Sequence, residues 1–306
     1  MEFDMVDYHL ARAATDNFLH QFQLFPFSAW GNAVNANLVG QFSCTSSQGG
    51  TPRHVPAACI RNSHNFPSQV ASVGGEVVGK SWWKTDVTSP GTWGSVSPGI
   101  QAAFTRADWG GFSTSIGFPA GPIVRCDNAT AGLTYVGCVI MDGAPNVLYS
   151  RLKYPEFVQH VDAAQESGLP GKYIGQGWGN LPMTRLMDPT LKSRNQSTAC
   201  PSAYPRPPDK SCDEYPFAAS YQGAYTGTNI GAPSGNGCAD HEFCGVPRTF
   251  SWCSIELGQP GSTGFYGYSV CMISATQNSG AGGVLSGAFK KHRMLDGDPF
   301  FVAAVD

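Results

Sequence analysis

A glycine or a proline falls at about every fifth position of this chain, 37 and 22 among 306 residues, and that spacing limits the fold more than any other feature. Both residues oppose helix interiors and favour turns, so short strands joined by tight turns are favoured over long helices. Hydrophobic residues make up 42% of the sequence, enough apolar surface to drive folding. A chain of 306 residues exceeds a common single-domain length, so two domains with separate cores are expected.

The turn residues divide the chain unevenly. Over residues 1–125, β-rich runs such as Phe22–Phe27, Val70–Val73 and Phe112–Phe118 alternate with Gly74-Gly75, Pro90-Gly91 and Gly110-Gly111, the pattern of an antiparallel β-sandwich. Residues 126–150 read as a connector. In 151–306 the pattern changes. Phe157, Val161 and Ala164 fall on a helical period over Pro155–Gln165, which Gly168-Leu169-Pro170 stops. Residues 195–210 are too proline-rich for regular structure. A strand is expected at 267–274, a helix over 283–294 and a last strand at 300–305. The fold class expected is α+β, an all-β sandwich-like domain followed by a compact α+β domain.

Ten cysteines stand at 44, 59, 126, 138, 200, 212, 238, 244, 253 and 271. They are even in number, scattered through loop-like sequence and without paired Cys-x-x-Cys motifs, which favours disulfides in an oxidising compartment over a zinc cluster. Proximity along the chain suggests Cys44–Cys59, Cys126–Cys138, Cys200–Cys212, Cys238–Cys244 and Cys253–Cys271. Cys238, His241 and Cys244 lack an evident fourth zinc ligand, so disulfides are preferred there as well. A secreted protein is expected, yet Met1-Glu2-Phe3-Asp4-Met5 opens no signal peptide, and the chain reads as truncated. No apolar run approaches the ~20 residues of a membrane helix.

Net charge is −3, with 7 basic and 9 acidic residues in 1–144 and 12 and 13 in 145–306. Neither half is basic enough for passive nucleic-acid binding, though an enzyme can use a local patch. Chemistry concentrates in two segments. In Cys212-Asp213-Glu214-Tyr215-Pro216 two adjacent carboxylates offer hard oxygen ligands or a base, or else they cap a helix beginning near Pro216. In Gln277-Asn278-Ser279-Gly280-Ala281-Gly282-Gly283 an amide oxygen can ligate Mg²⁺ or Mn²⁺ while glycines open backbone N–H groups to a phosphate, or Asn278 is an ordinary helix N-cap. Lys290, Lys291, His292 and Arg293 form either a phosphate-holding patch or a solvated helix end. His160 stands near a helix end with no partner legible in the sequence. Trp82-Trp83 and Trp93 suit core packing or a carbohydrate platform, with packing favoured.

Taken together, the Asp-Glu-aromatic-Pro-x-Ala signature at Asp213–Ala218, the glycine-rich loop at Asn278 and the closing Leu295-Asp296-Gly297-Asp298-Pro299-Phe300 resemble the NucA/NucB deoxyribonucleases over residues 198–306. That resemblance implies a compact ββα-metal-like domain that cleaves DNA endonucleolytically, with low sequence specificity, using one divalent cation, Mg²⁺ or Mn²⁺. It makes Asp213 the general base or water-orienting carboxylate, Glu214 a second acidic site residue, and Asn278, Gln222 and Asp213 the metal ligands. Ser279, Lys290, Lys291 and Arg293 would hold substrate. The chain departs from the family at Gln222, where many relatives carry Glu, and at Ser211, where some carry Asp. A neutral amide ligates a cation more weakly and takes no proton. Two other readings stand beside the nuclease: a secreted binding or structural protein on a degenerate nuclease scaffold, and an interbacterial toxin with an immunity protein as partner.

Overall fold

The computed structural model describes residues 1–46, 53–111, 113–118, 121–173, 181–203, 206–229 and 267–306, with Arg61, Asn62, Thr228 and Asn229 as backbone only. The chain divides into two compact units, Met1–Asp142 and Gly143–Asp306. Strands and helices both contribute, as α+β requires.

In the first unit, β1 (Glu2–Ala11), β2 (Asn17–Ser28), β4 (Cys59–Asn65) and β6 (Val77–Thr85) form one sheet in the order β1-β2-β6-β4. The second sheet runs β10-β9-β7-β3-β5, from β3 (Asn37–Ser46), β5 (Gln69–Val70), β7 (Trp93–Thr105), β9 (Val124–Asp127) and β10 (Gly137–Ile140), with β8 (Ser113–Ile116) also paired to β7. Every other residue of β2 and β6 is buried, the period that one core-facing sheet surface imposes. Phe18, Phe22, Leu24 and Trp83 of one sheet share a core with Leu38, Phe42, Ile100 and Phe104 of the other. The Phe66 ring lies over two backbones that lack side chains, Gly40 of β3 and Gly79 of β6; a Cβ on Gly79 would sit 2.7 Å from its Cγ.

Residues 126–150 are not a connector. β9 and β10 pair with Cys126 opposite Cys138 in the first unit, whereas residues 146–150 form a strand of the second. Disulfides join Cys44–Cys59, Cys126–Cys138 and Cys200–Cys212 at Cα separations of 6.0, 4.0 and 5.9 Å. Cys271 is also disulfide-bonded. Cys238, His241, Cys244 and Cys253, and with them the remaining two suggested pairings, lie outside the described residues. Among the described residues no helix is long and apolar enough to cross a membrane.

The second unit runs β11 (Asn146–Ser150), α1 (Pro155–Glu166), β12 (Met183–Thr184), α2 (Pro189–Ala199), β13 (Lys210–Tyr215), α3 (Thr226–Asn229), β14 (Ser269–Ser274), α4 (Ala275–Lys291) and β15 (Pro299–Val305). β15 lies between β11, to which it is parallel, and β12, to which it is antiparallel. β13 and β14 pair antiparallel, and α4 follows β14 directly. The two-stranded pair has two distinct faces. Tyr215, Cys271 and Ile273 join a core with Phe157, Val161, Ala281 and Leu285 of α1 and α4, while Cys212 and Val270 pack with Ala199 and Cys200 at the end of α2.

Two segments depart from the sequence expectation. α2 occupies the start of the stretch read as irregular. It opens on Asp188, whose side chain accepts from the N–H groups of Thr190 and Leu191, and on Pro189 at the first helical position. Its buried residues are only Asn195 and Ala199, so no apolar stripe advertises it. Asn195 anchors it instead, donating to Ala218 O (2.9 Å) and Ser220 O (3.1 Å) and accepting from the N–H groups of Tyr225 (2.9 Å) and Thr226 (2.8 Å). The second departure is α4, which begins at Ala275 rather than 283, so the glycine-rich run is helix and not loop. Glycine in a helix interior costs about 1 kcal/mol relative to alanine. Packing outweighs that cost: Ala281, Leu285 and Phe289 are buried, and a Cβ on Gly280 would meet the Tyr154 ring at 2.8 Å.

Candidate functional site

α1 turns one face into the core of the second unit, and His160 lies on that face between Phe157 and Val161. Its Nδ1 meets Asp213 Oδ2 of β13 at 2.6 Å, and its Nε2 meets Ser269 Oγ, at the start of β14, at 3.0 Å. The three residues are 0, 5 and 1% exposed. With Nδ1–H donating to the carboxylate, Nε2 accepts the Ser269 hydroxyl proton while the ring is neutral and donates to that oxygen when it is charged. The line Asp213–His160–Ser269 is therefore built to orient an imidazole and to move a proton at Nε2. Burial and the charge of Asp213 push the Tyr149 phenol well above its ordinary range, so it stays protonated; its hydroxyl donates to Ala281 O of α4 at 3.3 Å.

Helix ends lock this geometry. Gln277 of α4 accepts from Glu156 N–H (2.9 Å) and Phe157 N–H (3.5 Å), capping α1 from outside. The Glu156 carboxylate in turn holds Lys210 Nζ and Ser274 N–H, each at 2.7 Å. Both strands are thus tied, at the Lys210–Ser274 end of the pair, to the helix that carries His160.

Of the residues singled out in the sequence, Asp213 and Asn278 lie on the side of the two-stranded pair facing α1 and α4. Asn278 Nδ2 donates to Ser211 Oγ and to Cys212 O, both at 3.0 Å, which fixes the amide and leaves Oδ1 without a hydrogen bond among the described residues. Asp213 Oδ1 is likewise not engaged by His160.

Glu214 does not join them. It neighbours Asp213 on a strand, so the two carboxylates point to opposite faces and neither caps a helix at Pro216. It sits on the α2 side, 3.7 Å from Cys200 Sγ, where burial first and the charge of Asp213 second push its carboxyl up to about 8. The folded unit therefore holds this proton between the ordinary value of 4.5 and about 8, where the unfolded chain has released it. Its contribution to stability is complete below that window and is lost as pH rises through it. Wild-type protein is expected to show a higher urea midpoint at pH 5 than at pH 8, and Glu214→Gln to flatten that difference; an unchanged slope in the variant would rule Glu214 out as its source.

Gln222 is committed elsewhere. Its Oε1 accepts from Thr184 N–H at 2.8 Å and its Nε2 lies 3.2 Å from Thr184 Oγ1, so it pins β12 and has no amide oxygen to spare for a cation. Gln222→Glu should leave a Mn²⁺ titration of the protein unchanged, and a tighter titration would return this position to the ligand set. Ser279 is exposed on α4, where the N–H groups beyond the first turn belong to the helix and are closed to a phosphate. Lys290 and Lys291 lie in the last turn, about 18 Å along the axis from Asn278 at 1.5 Å per residue, too far to share a phosphate with it. Arg293 is not on the surface at all: its side chain is fully buried, at a left-handed backbone with φ 47°.

His160 and Ser269 are the site residues that sequence reasoning passed over. The signal for His160 was present, since a position beside Phe157, Val161 and Ala164 on one helical period lies on the buried face. Buried histidines require partners, and that requirement pointed to a carboxylate. No protein-family model, curated protein or solved structure matches the chain.

Proposed function

We propose that the Gly143–Asp306 unit is a secreted, metal-assisted endonuclease that hydrolyses DNA phosphodiester bonds with low sequence specificity. The observation that carries this reading is the buried His160–Asp213 pair, 2.6 Å apart, with Asn278 held against the same strand. The antiparallel pair β13 and β14, with α4 directly after β14, supports the ββα unit that the sequence resemblance implies, α3 lying in the connection between the two strands. The role given to Asp213 alone is divided: His160 removes the proton from the attacking water, and Asp213 holds the ring in the tautomer that makes Nε2, the nitrogen Ser269 Oγ meets at 3.0 Å, an acceptor.

Asp213 Oδ1 and Asn278 Oδ1 are hard oxygens suited to Mg²⁺ or Mn²⁺, which keeps several waters and needs few protein ligands. When bound, such a cation supplies charge stabilisation at the phosphate and at the leaving 3′ oxygen. Disulfides across both units support an exported protein that meets DNA in an oxidising compartment.

Ser269 Oγ at 3.0 Å from His160 Nε2 favours a second reading, a serine hydrolase in which this hydroxyl attacks an acyl group. Metal dependence separates the two. Plasmid nicking by the oxidised protein in Mg²⁺ or Mn²⁺, abolished by EDTA and by Asp213→Asn, is the result expected of the nuclease. Folded protein that cleaves no DNA with either metal, but hydrolyses an activated ester until Ser269→Ala, would overturn it in favour of the hydrolase.

A further inference from the structure

The inner face of β1 and β2 is apolar along most of its length, with Phe3, Ala11, Phe18, Phe22 and Leu24 in the core of the first unit or packed against it. Three polar side chains interrupt it. His9 and His20 are direct cross-strand partners, and Asp7 lies two residues before His9 on the same face. Asp7 Oδ1 meets His20 Nε2 at 2.6 Å and Asp7 Oδ2 meets His9 Nε2 at 3.0 Å, while the two imidazoles stack with centroids 4.3 Å apart. One ligand atom from each residue lies within 4.8 Å of the others.

Nothing about the core explains this trio. His20 is fully buried, and Nδ1 of both rings is buried without a hydrogen-bond partner. What points to a ligand is the other nitrogen of each ring: both Nε2 atoms converge on the one Asp7 carboxylate, three donors gathered in an otherwise apolar row. Burial would raise the Asp7 carboxyl, but its bonds to His20 and His9 hold it well below the usual range, so it is ionised at any physiological pH.

We propose that Asp7, His9 and His20 form a binding site for a borderline transition-metal dication, Zn²⁺ foremost. Two imidazole nitrogens with one carboxylate make a donor set that Zn²⁺ accepts and that Mg²⁺ and Ca²⁺ do not select. The donor separations of 2.6 and 3.0 Å lie slightly inside the ~3.3 Å edge of a tetrahedron with zinc–nitrogen bonds of ~2.05 Å, so a small retreat of the half-exposed Asp7 side chain admits the ion. A metal here would cross-link β1 to β2 within the first unit, remote in sequence from His160 and Asp213.

The test uses the full oxidised chain carrying Asp213→Asn, which removes the carboxylate of the other candidate site. Stripped with EDTA and desalted, it is titrated with ZnCl₂, with bound metal counted by elemental analysis and folding followed by thermal melting. One equivalent bound, with a melting shift of roughly 5 °C or more at saturating zinc, is expected. Asp7→Asn and His9→Gln, each added separately, should weaken binding at least tenfold while circular dichroism stays unchanged. Absence of stoichiometric zinc from the folded protein, or binding that survives both substitutions, would overturn the proposal. Neither outcome bears on DNA cleavage, which His9→Gln alone should leave intact.

Discussion

Replacing His160 with alanine is expected to abolish plasmid nicking and to destabilise the second unit by about 3–5 kcal/mol, the range for stranding a buried charge by removing its partner. The loss arises because Asp213, 5% exposed and bonded to His160 at 2.6 Å, is left as an uncompensated buried carboxylate. Asp213→Ala should be similarly costly, since its partner imidazole is then stranded with only Ser269. The place of Asp213 on a strand facing α1, with His160 against it, is what makes the removal costly.

A double replacement separates stability from chemistry. His160→Leu with Asp213→Ala exchanges the pair for apolar groups, which is often neutral where either single change is severe. Urea melts should show much of the lost stability restored, while nicking stays absent. A double variant that regains cleavage would show that the pair serves the fold alone and that the proton is handled elsewhere.

Gly40→Val in the first unit is the second large effect expected. A methyl on Gly40 falls within the Phe66 ring, which also covers Gly79 and packs against Phe22 and Phe42 with centroids 5.8 and 5.7 Å away. The ring is buried and packed against both Phe22 and Phe42, so overpacking should cost about 3 kcal/mol or more. Phe66→Ala should cost about 3–5 kcal/mol by the opposite fault, an empty space between two bare backbones. Combined with Gly40→Ala, Phe66→Ala should cost less than the sum of the separate changes, because the new methyl occupies part of the vacated volume. Strict additivity in thermal melts would mean that Phe66 does not lie on Gly40.

Local pattern carried the elements whose burial is one-sided. α1 was legible from Phe157, Val161 and Ala164 with Gly168 as its stop, and β15 from an apolar run after a turn at Gly297. Legibility failed where tertiary contacts overrule propensity. α4 tolerates Gly280, Gly282 and Gly283 because its apolar face is held by neighbours, and α2 is anchored by the amide of Asn195 rather than by an apolar stripe. β13 carries no alternating apolar pattern because its residues are polar on both faces: Ser211 and Asp213 meet partners from α4 and α1, while Cys212 and Glu214 face α2. The site was half legible for the same reason. Asp213 and Asn278 stand in recognisable motifs, but His160 and Ser269 are separated from Asp213 by 53 and 56 positions, and only the fold brings them together.

The placement of β15 between β11 and β12 governs when the second unit can form. Its sheet joins residues 146–150 to residues 299–305, so the stretch in between must be released from synthesis before the middle strand exists. Until then, among the described residues, β11 has no sheet neighbour and β12 has beside it only the bridge of Arg185 to Ser220, and the face of α1 that carries His160 lacks the Phe300 and Val302 side chains of its core. The first unit closes its sheets from residues 1–142 alone and can fold while the second is still being made. The cleavage proposed for this unit would, on this ordering, arrive only once β15 has been made, so a chain interrupted before that strand would carry none.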